Sequence, residues 1–330
     1  MKLFIQIPCY NEAATIARTL KDLPRHVEGF ESVQWLIIDD GCTDETVAIA
    51  REYGIDHVVR LTKHLGLAKG FMAGLDACLK LGADVIVNTD GDNQYKGTYI
   101  PKIVAPILAG EADMVVGVRP IKQIDHFSRL KKWLQRFGSW VVRVASNTDV
   151  SDVTSGFRAI SRDAAMQLNV FSQYTYTLET VIQAGQKNLA VVSIPIEINE
   201  ELRPSRLLKS VFNYVQRSIG TIIRIFVVYQ PFRFFLTIGS LLFAAGMLIG
   251  IRFLYFYFAE GGGGHIQSLI LASILLGIGL QTILVAFLSD LQSVNRRLLE
   301  DIQYRIKKID CGDFHKGSRK FLGSKPEEEQ

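Results

Sequence analysis

The chain of 330 residues carries 37 Lys and Arg against 33 Asp and Glu, a formal charge of +4. That balance excludes a nucleic-acid surface: the excess is small, no basic patch is interleaved with aromatics, and the cations cluster around apolar segments, as at a membrane. The four cysteines (Cys9, Cys42, Cys78 and Cys311) are scattered, with no C-x-x-C pair and no histidine at metal spacing, which excludes a disulfide framework and a structural zinc and suits a reducing compartment.

In chain order, residues 1–12 hold too short an apolar run for a signal peptide and read as a strand over 3–7, stopped by Pro8. Helical periodicity over 12–23 and a strand over 34–38 follow, the latter ending in Asp39-Asp40-Gly41. A helix is expected over 43–53, with Asp44 and Glu45 where acidic residues suit the dipole. A strand over 57–61, a helix over 67–81 and a strand over 83–88 lead into Thr89-Asp90-Gly91-Asp92. A helix over 99–109 and a strand over 113–117 close the run. Strand and helix alternate at crossover length, which predicts an α/β domain built on a mostly parallel sheet with helices on both faces. Ligands bind such sheets beyond the carboxyl ends of the strands. Tyr10-Asn11-Glu12, Asp39-Asp40 and Asp90-x-Asp92 all fall there.

Beyond the strands, residues 127–147 form a basic, aromatic, helical stretch, and 152–160 carry the turn Ser155-Gly156-Phe157-Arg158. A helix over 176–184 and an edge strand over 191–198 around Pro195 complete this part. Over 205–229 cationic and small or polar residues recur every three to four positions (Arg206, Lys209/Ser210, Asn213, Gln216/Arg217, Gly220/Thr221, Arg224), with apolar residues between them. That predicts an amphipathic helix lying in the headgroup plane, its alternative being a packed helix of the soluble domain. Residues 234–258 and 266–288 are each long enough for the ~20 residues a membrane span needs. Only a glycine-rich turn joins them, and Lys and Arg flank the pair while the turn has none, so both flanks are expected in the cytosol. Arg252 reads as a snorkelling residue at an aromatic belt. The expected organisation is a catalytic domain over 1–204, a juxtamembrane helix over 205–231, a transmembrane hairpin over 232–290 and a cytosolic tail over 291–330, whose last residues read as disordered. Glycine-rich faces (Gly239, Gly246, Gly250; Gly277, Gly279) permit close helix packing and point to a homo-oligomer.

Two carboxylates at the end of a buried strand suit Mg²⁺ or Mn²⁺ bridging a diphosphate, because these ions prefer oxygen ligands and share them with substrate phosphate. Gly91 between them lets the backbone approach a ligand closely, and Gln94 can add an oxygen. Gly66, Gly70 and Gly74 fit no phosphate-loop spacing and read as helix packing; His64 and His126 lack partners at metal spacing, and Trp133 and Trp140 read as packing residues.

The runs Ile7-Pro8-Cys9-Tyr10-Asn11-Glu12, Ile38-Asp39-Asp40-Gly41-Cys42-Thr43-Asp44 and Asp90-Gly91-Asp92 resemble the inverting GT-A glycosyltransferases of family 2. Ser155-Gly156-Phe157-Arg158 and the apolar hairpin resemble the polyprenyl-phosphate glycosyltransferases, the group that includes dolichol-phosphate mannose synthase. The resemblance implies a Rossmann-like GT-A fold. It implies nucleotide-sugar contacts from Pro8, Tyr10, Asn11, Glu12, Asp40, Asp90 and Gly91, with Asp39 either joining them or supporting the loop as an Asx-turn. It implies metal ligation by Asp90 and Asp92 with Gln94 assisting, and phosphate-facing roles for Arg119 and Arg129. Arg158 joins the catalytic set, and Arg129, Arg203 and Arg206 meet donor and lipid phosphates at the membrane. Pro204 and Arg206 depart from the family's Gly-x-Ser-Lys at that place. The Gln-x-x-Arg-Trp of processive polymerases is absent from the sequence, which favours transfer of one sugar.

The resemblance thus implies a hexose moving with inversion from a nucleotide sugar, UDP favoured over GDP, to polyprenyl phosphate at the cytosolic face of a cell membrane. A lipid phosphate is already anionic, so a strong general base is unnecessary. Asp152 stands where the resemblance places an active-site acid, acting as base, as an orienting group or in a turn. A glycolipid or diacylglycerol hydroxyl acceptor is the second reading, and a non-catalytic membrane component the third.

Overall fold

The computed structural model describes residues 1–120, 148, 150, 152–171, 176–199, 224, 227–260 and 266–312. The expected helix over 127–147 with Arg129, nearly all of 205–229, Arg203, Arg206, the turn over 261–265 and the end of the tail lie outside them. The chain divides into two compact units, Met1–Tyr214 with Glu300–Gln330, and Val215–Leu299.

In the first unit the apolar run at the N-terminus becomes strand β1 (Lys2–Cys9) at the middle of the sheet, with Leu3, Phe4, Ile5 and Ile7 fully buried. It pairs in parallel with β2 (Ser32–Asp39) on one side and β4 (Val85–Asn88) on the other, and β2 pairs in parallel with β3 (His57–Arg60). Strands buried on both faces read as unbroken apolar runs rather than alternations, which is why β1, β2 and β4 are plain in the sequence. The order among the described residues is β3-β2-β1-β4-β6-β5-β7, with β5 (Met114–Val118), β6 (Arg158–Ser161) and β7 (Val191–Pro195). The expected mostly parallel sheet is found, with one departure: β6 runs antiparallel between β4 and β5. β7 takes the edge, as Pro195 suggests. The chain leaves β1 for β2 and returns to β4 on the other side, so the crevice beside the β1 and β4 ends is the topological switch point.

Two helices start later than their periodicity predicts. Helix α1 spans Ile16–Asp22 and α2 spans Thr46–Glu52. The preceding residues are drawn into cross-links between the two strand-end loops: Glu12 N–H donates to Thr46 Oγ1 (2.8 Å), Ala13 N–H to Asp44 Oδ2 (3.1 Å) and Thr43 N–H to Asn11 Oδ1 (2.9 Å). Asp44 therefore stands ahead of α2, where its Oδ1 accepts from Thr46 N–H (3.1 Å), rather than inside the first turn. Helix α3 (Leu67–Lys80) lies against β1 and β2 through Gly74, where a Cβ would collide with the side chains of Gln6 and Ile38. That is the packing role expected of it. Helices α4 (Ile100–Leu108), α5 (Arg162–Gln167) and α6 (Thr177–Gln186) complete the described layers.

Helices α7 (Pro231–Glu260) and α8 (Ile266–Asp310) are both long and apolar enough to cross a membrane. In the second unit their glycines pack α7 on α8: a Cβ at Gly239 would come 2.8 Å from Ile283 Cγ1, and one at Gly279 would come 2.6 Å from Phe243 N. These positions serve the hairpin itself, whereas Gly277 has nothing within 4 Å. The second apolar run is expected to end at 288, but α8 continues through 45 residues to Asp310, roughly 67 Å at 1.5 Å per residue. Charge ends the apolar run there without ending the helix, since Leu, Gln, Arg, Glu and Lys are all good helix formers. The last turns belong to the first unit, in which Tyr304 Oη donates to Asp163 Oδ1 (2.7 Å), Lys187 pairs with Glu300 (3.2 Å) and Arg162 donates to the Cys311 carbonyl (3.2 Å).

Candidate active site

Three strand ends meet at the carboxyl edge of the sheet. Asn11, after β1, takes a left-handed backbone (φ 54) and turns the chain back into the loop cross-links already described. The β4 end is fastened beneath α1, where Thr15 and Thr19 hydroxyls donate to the Gly91 carbonyl at 2.9 and 3.1 Å. Gly91 is required there: a Cβ would lie 2.9 Å from Cys9 Sγ and 3.6 Å from the Pro8 carbonyl. The spacing predicts Pro8, Tyr10, Glu12, Asp90 and Gly91 at one edge, and the structure places them there.

Asp90 sits over Gly156, where a Cβ would lie 2.9 and 3.0 Å from its two oxygens. No hydrogen bond or ion pair to its carboxylate is found among the described residues. Burial, and after it the charge of Asp92, push the Asp90 carboxyl up to about 7, with Glu12 adding to the rise and Arg119 and Arg158 opposing it. Asp92 Oδ1 accepts from the Gln94 N–H (3.1 Å), and the Gln94 carbonyl accepts from Asn199 N–H (2.9 Å). No cluster of three or more His, Cys, Asp and Glu suited to a metal occurs among the described residues. Two carboxylates at an edge short of positive charge nevertheless fit Mg²⁺ or Mn²⁺, which take one or two protein carboxylates and complete their shell with substrate phosphate and water.

Next to this pair lies a cluster of the opposite character. Arg119, just beyond β5, grips Asp152 with both ends of its fork: Nε to Oδ2 at 2.8 Å and Nη2 to Oδ1 at 3.1 Å. Thr154 adds its hydroxyl to Oδ1 at 2.8 Å. Burial acts to raise the Asp152 carboxyl, but the Arg119 bonds and charge and the Thr154 hydroxyl outweigh it and hold it below the ordinary range. Arg158 has no exposed surface and donates to the Ser155 carbonyl (2.9 Å), the Val153 carbonyl (2.8 Å) and the Thr180 hydroxyl. Each of its guanidinium nitrogens is engaged by protein, which places it behind the crevice as a brace for the 152–158 turn.

That turn is tied to the sheet by residues that the sequence did not single out. Asn88 Nδ2 donates to the Gly156 carbonyl (2.9 Å) and the Tyr176 hydroxyl (2.8 Å), and its Oδ1 accepts from Gln6 Nε2 (2.9 Å). The Tyr95 hydroxyl accepts from Gly156 N–H (2.9 Å). A buried amide must find partners, so an asparagine ending the apolar strand Val85–Asn88 was the available signal.

Asp39 Oδ1 accepts from Cys42 N–H (2.7 Å), the Asx-turn role, while its Oδ2 stands 3.2 Å from Arg60 Nε. Asp40 accepts from Leu65 N–H (2.7 Å) and Gly66 N–H (2.9 Å), and His64 Nδ1 stands 2.8 Å from its Oδ2. The His64 ring also stacks on Tyr10, centroids 3.8 Å apart. Arg129, Arg203 and Arg206 lie outside the described residues.

The family described as "Glycosyl transferase family 2" matches residues 4–168. The polyprenol monophosphomannose synthase of Mycolicibacterium smegmatis is 25% identical over 218 residues, 62% of this chain and 81% of that one. The UDP-N-acetylglucosamine–dolichyl-phosphate N-acetylglucosaminyltransferase of Methanococcus voltae is 27% identical over 217 residues, 59% of this chain and 84% of that one. Glucosyl-3-phosphoglycerate synthase from Mycobacterium tuberculosis, solved with Mn²⁺, UDP and glucosyl-3-phosphoglycerate, superposes with a TM-score of 0.54 at 19% identity. It covers 68% of this chain and 78% of its own, and the likeness is one of GT-A fold.

Proposed function

The chain belongs to glycosyl transferase family 2, and from that premise we propose that this glycosyltransferase moves one hexose, with inversion, from a nucleotide sugar to a polyprenyl phosphate at the cytosolic face of a membrane. One observation carries the acceptor assignment: Asp152 is gripped at both oxygens by Arg119 and held below the ordinary carboxylate range. A general base works best with a pKa near the operating pH, so this carboxylate is a poor one. An acceptor that arrives already ionised, as a phosphate does, needs none. The two apolar helices and the names of the relatives point the same way.

In this reading Asp152 and Arg119 act as one rigid unit, with Arg119 presenting its remaining charge to phosphate and Asp152 fixing its direction. Asp90 and Asp92 hold Mg²⁺ or Mn²⁺, which when bound neutralises the charge that builds on the departing diphosphate. Arg158, through the Ser155 and Val153 carbonyls, keeps Gly156 beneath Asp90. The membrane arrangement follows the positive flanks, with the catalytic domain over 1–204 on the cytosolic side of the hairpin. The test is a donor panel offered to detergent-solubilised protein with undecaprenyl phosphate and Mn²⁺ or Mg²⁺. Formation of a phosphate-linked glycolipid supports the proposal. Transfer only to a glycolipid or diacylglycerol hydroxyl overturns the acceptor, and no turnover with any donor overturns the whole reading.

A further inference from the structure

The end of α8 packs on the first unit with its polar face and turns its apolar face outward. Glu300, Tyr304, Lys307 and Cys311 recur every three or four residues and are the positions that meet the unit. Lys307 Nζ reaches the Leu168 carbonyl and Asn169 Oδ1 (both 3.4 Å) and lies 3.5 Å from Asp76 Oδ1, beside the Glu300, Tyr304 and Cys311 contacts already described. The apolar residues fall elsewhere. Ile302, Ile306 and Ile309 are each more than half exposed (52%, 53% and 59%), and Leu299 is exposed to 67%. At 3.6 residues per turn the two sets lie about 180° apart. Written as a heptad, Leu299 and Ile306 take position a, Ile302 and Ile309 take d, and the residues that meet the unit take b and f. An a/d seam is therefore left open on the face opposite the domain contact.

Position and charge select what covers it. The apolar run closes near Leu288, and Ile302 lies roughly 21 Å further along the same unbroken helix, beyond the hydrocarbon that a span from Ile266 fills. Copies anchored in one bilayer carry their α8 helices in one direction and at one depth, so the seam of one meets that of the next parallel and in register. Shared anchoring also raises the local concentration, which lets a seam of about three turns suffice. The charges agree with that polarity. Arg305, paired along its own helix with Asp301 (2.9 Å), takes position g, and Asp310 takes the following e. In a parallel pair g faces the following e of the other helix, so Arg305 meets a carboxylate; in an antiparallel pair it meets a second Arg305. We propose that this seam is a self-association surface, taken by the same face of a second copy of this chain in parallel. The proposal goes beyond sugar transfer and draws on the membrane reading of α7 and α8 only for the parallel direction. Gly239 and Gly279, expected to serve contacts between copies, pack α7 on α8 instead, and the seam supplies a different contact for that role.

The experiment has two arms, both on the full chain. In the first, a Cys311→Ser parent receives one new cysteine, Ile306→Cys in the seam or Asp301→Cys beside it, and membranes are treated with copper–phenanthroline. The expected result is a disulfide-linked pair of chains from Ile306→Cys. Asp301→Cys is expected to stay at the background of the parent, since a disulfide needs Cα atoms within about 7 Å. In the second arm, light scattering of detergent-solubilised protein gives the number of chains per particle. Wild type is expected to hold more than one chain, and Ile302→Asp/Ile306→Asp to hold one. Because both side chains are exposed, the double variant is expected to melt within a few degrees of wild type; if it unfolds instead, the cysteine arm decides. An Ile306→Cys yield no greater than that of Asp301→Cys, a wild type of one chain per particle, or a folded double variant of unchanged mass overturns the proposal. Capture of Ile306→Cys by a cysteine placed within residues 205–229 of the same chain also overturns it, assigning the face to that segment. Protein that stays soluble without detergent overturns the membrane reading and leaves the mass readout in force.

Discussion

Two acidic clusters stand side by side at the same edge of the sheet, and the fold treats them oppositely. Asp152 is matched at both oxygens by Arg119 and Thr154 and held below the ordinary carboxylate range. Asp90, over Gly156, is crowded by Asp92 and Glu12 and pushed up to about 7. A carboxylate whose charge is already balanced serves as architecture. One that burial and like charge leave short of a cation is prepared for something that arrives from outside. The sequence offers both as site residues, Asp90 through its motif and Asp152 through the resemblance; what separates them is their surroundings.

The sharpest way to break this contrast is to neutralise each member. Asp90→Asn is expected to lower turnover by about 10²–10³-fold, the scale of removing a positioned electrostatic group. Its metal-free melting temperature is expected to hold or rise, because the substitution removes a repelled buried charge. An equal loss of stability and activity contradicts the contrast. Arg119→Ala, by contrast, is expected to destabilise the fold by about 3–5 kcal/mol, since it strands a buried partner charge; thermal unfolding in detergent measures it. The smallest effect is expected from Asp152→Asn, with turnover reduced roughly tenfold or less and the pH profile of kcat unchanged, because the acceptor phosphate needs no general base. Complete loss of turnover in that variant contradicts the phosphate acceptor and favours a hydroxyl one.

How far the sequence alone reached differs between these regions for physical reasons. The edge carrying Pro8, Tyr10, Asp39, Asp40, Asp90 and Asp92 was legible because each residue ends or follows an apolar parallel strand, and parallel strands buried on both faces leave an unbroken signal. Strand β6 was not legible, because four residues opening on Arg158 resemble a turn, and only the neighbours β4 and β5 make them a strand. The engagement of Arg158 was hidden for the same reason: its three partners are backbone carbonyls and a hydroxyl from a separate helix. His64 has no second histidine or cysteine at metal spacing, so its sequence surroundings mark it as no metal ligand; its partners Asp40 and Tyr10 come from two other strand ends. In the hairpin, composition identifies both apolar helices. The continuation of α8 to Asp310 rests on helix propensity beneath a charged sequence, and hydropathy does not register it.

The central claim is that Asp90 and Asp92 form a cation-holding clamp while Asp152 does not. A carboxyl that keeps its proton up to about 7 must release it to take a metal. The affinity is therefore full above that pH and falls about tenfold per unit as pH drops below it. Asp152, held below the ordinary range, stays charged throughout and contributes no such slope. Mn²⁺ titration of the solubilised protein from pH 8 to pH 5.5 is the direct test. The expected result is one ion bound with that pH dependence, retained in Asp152→Asn and lost in Asp90→Asn. Mn²⁺ binding that survives Asp90→Asn, or that vanishes with Asp152→Asn, contradicts the account.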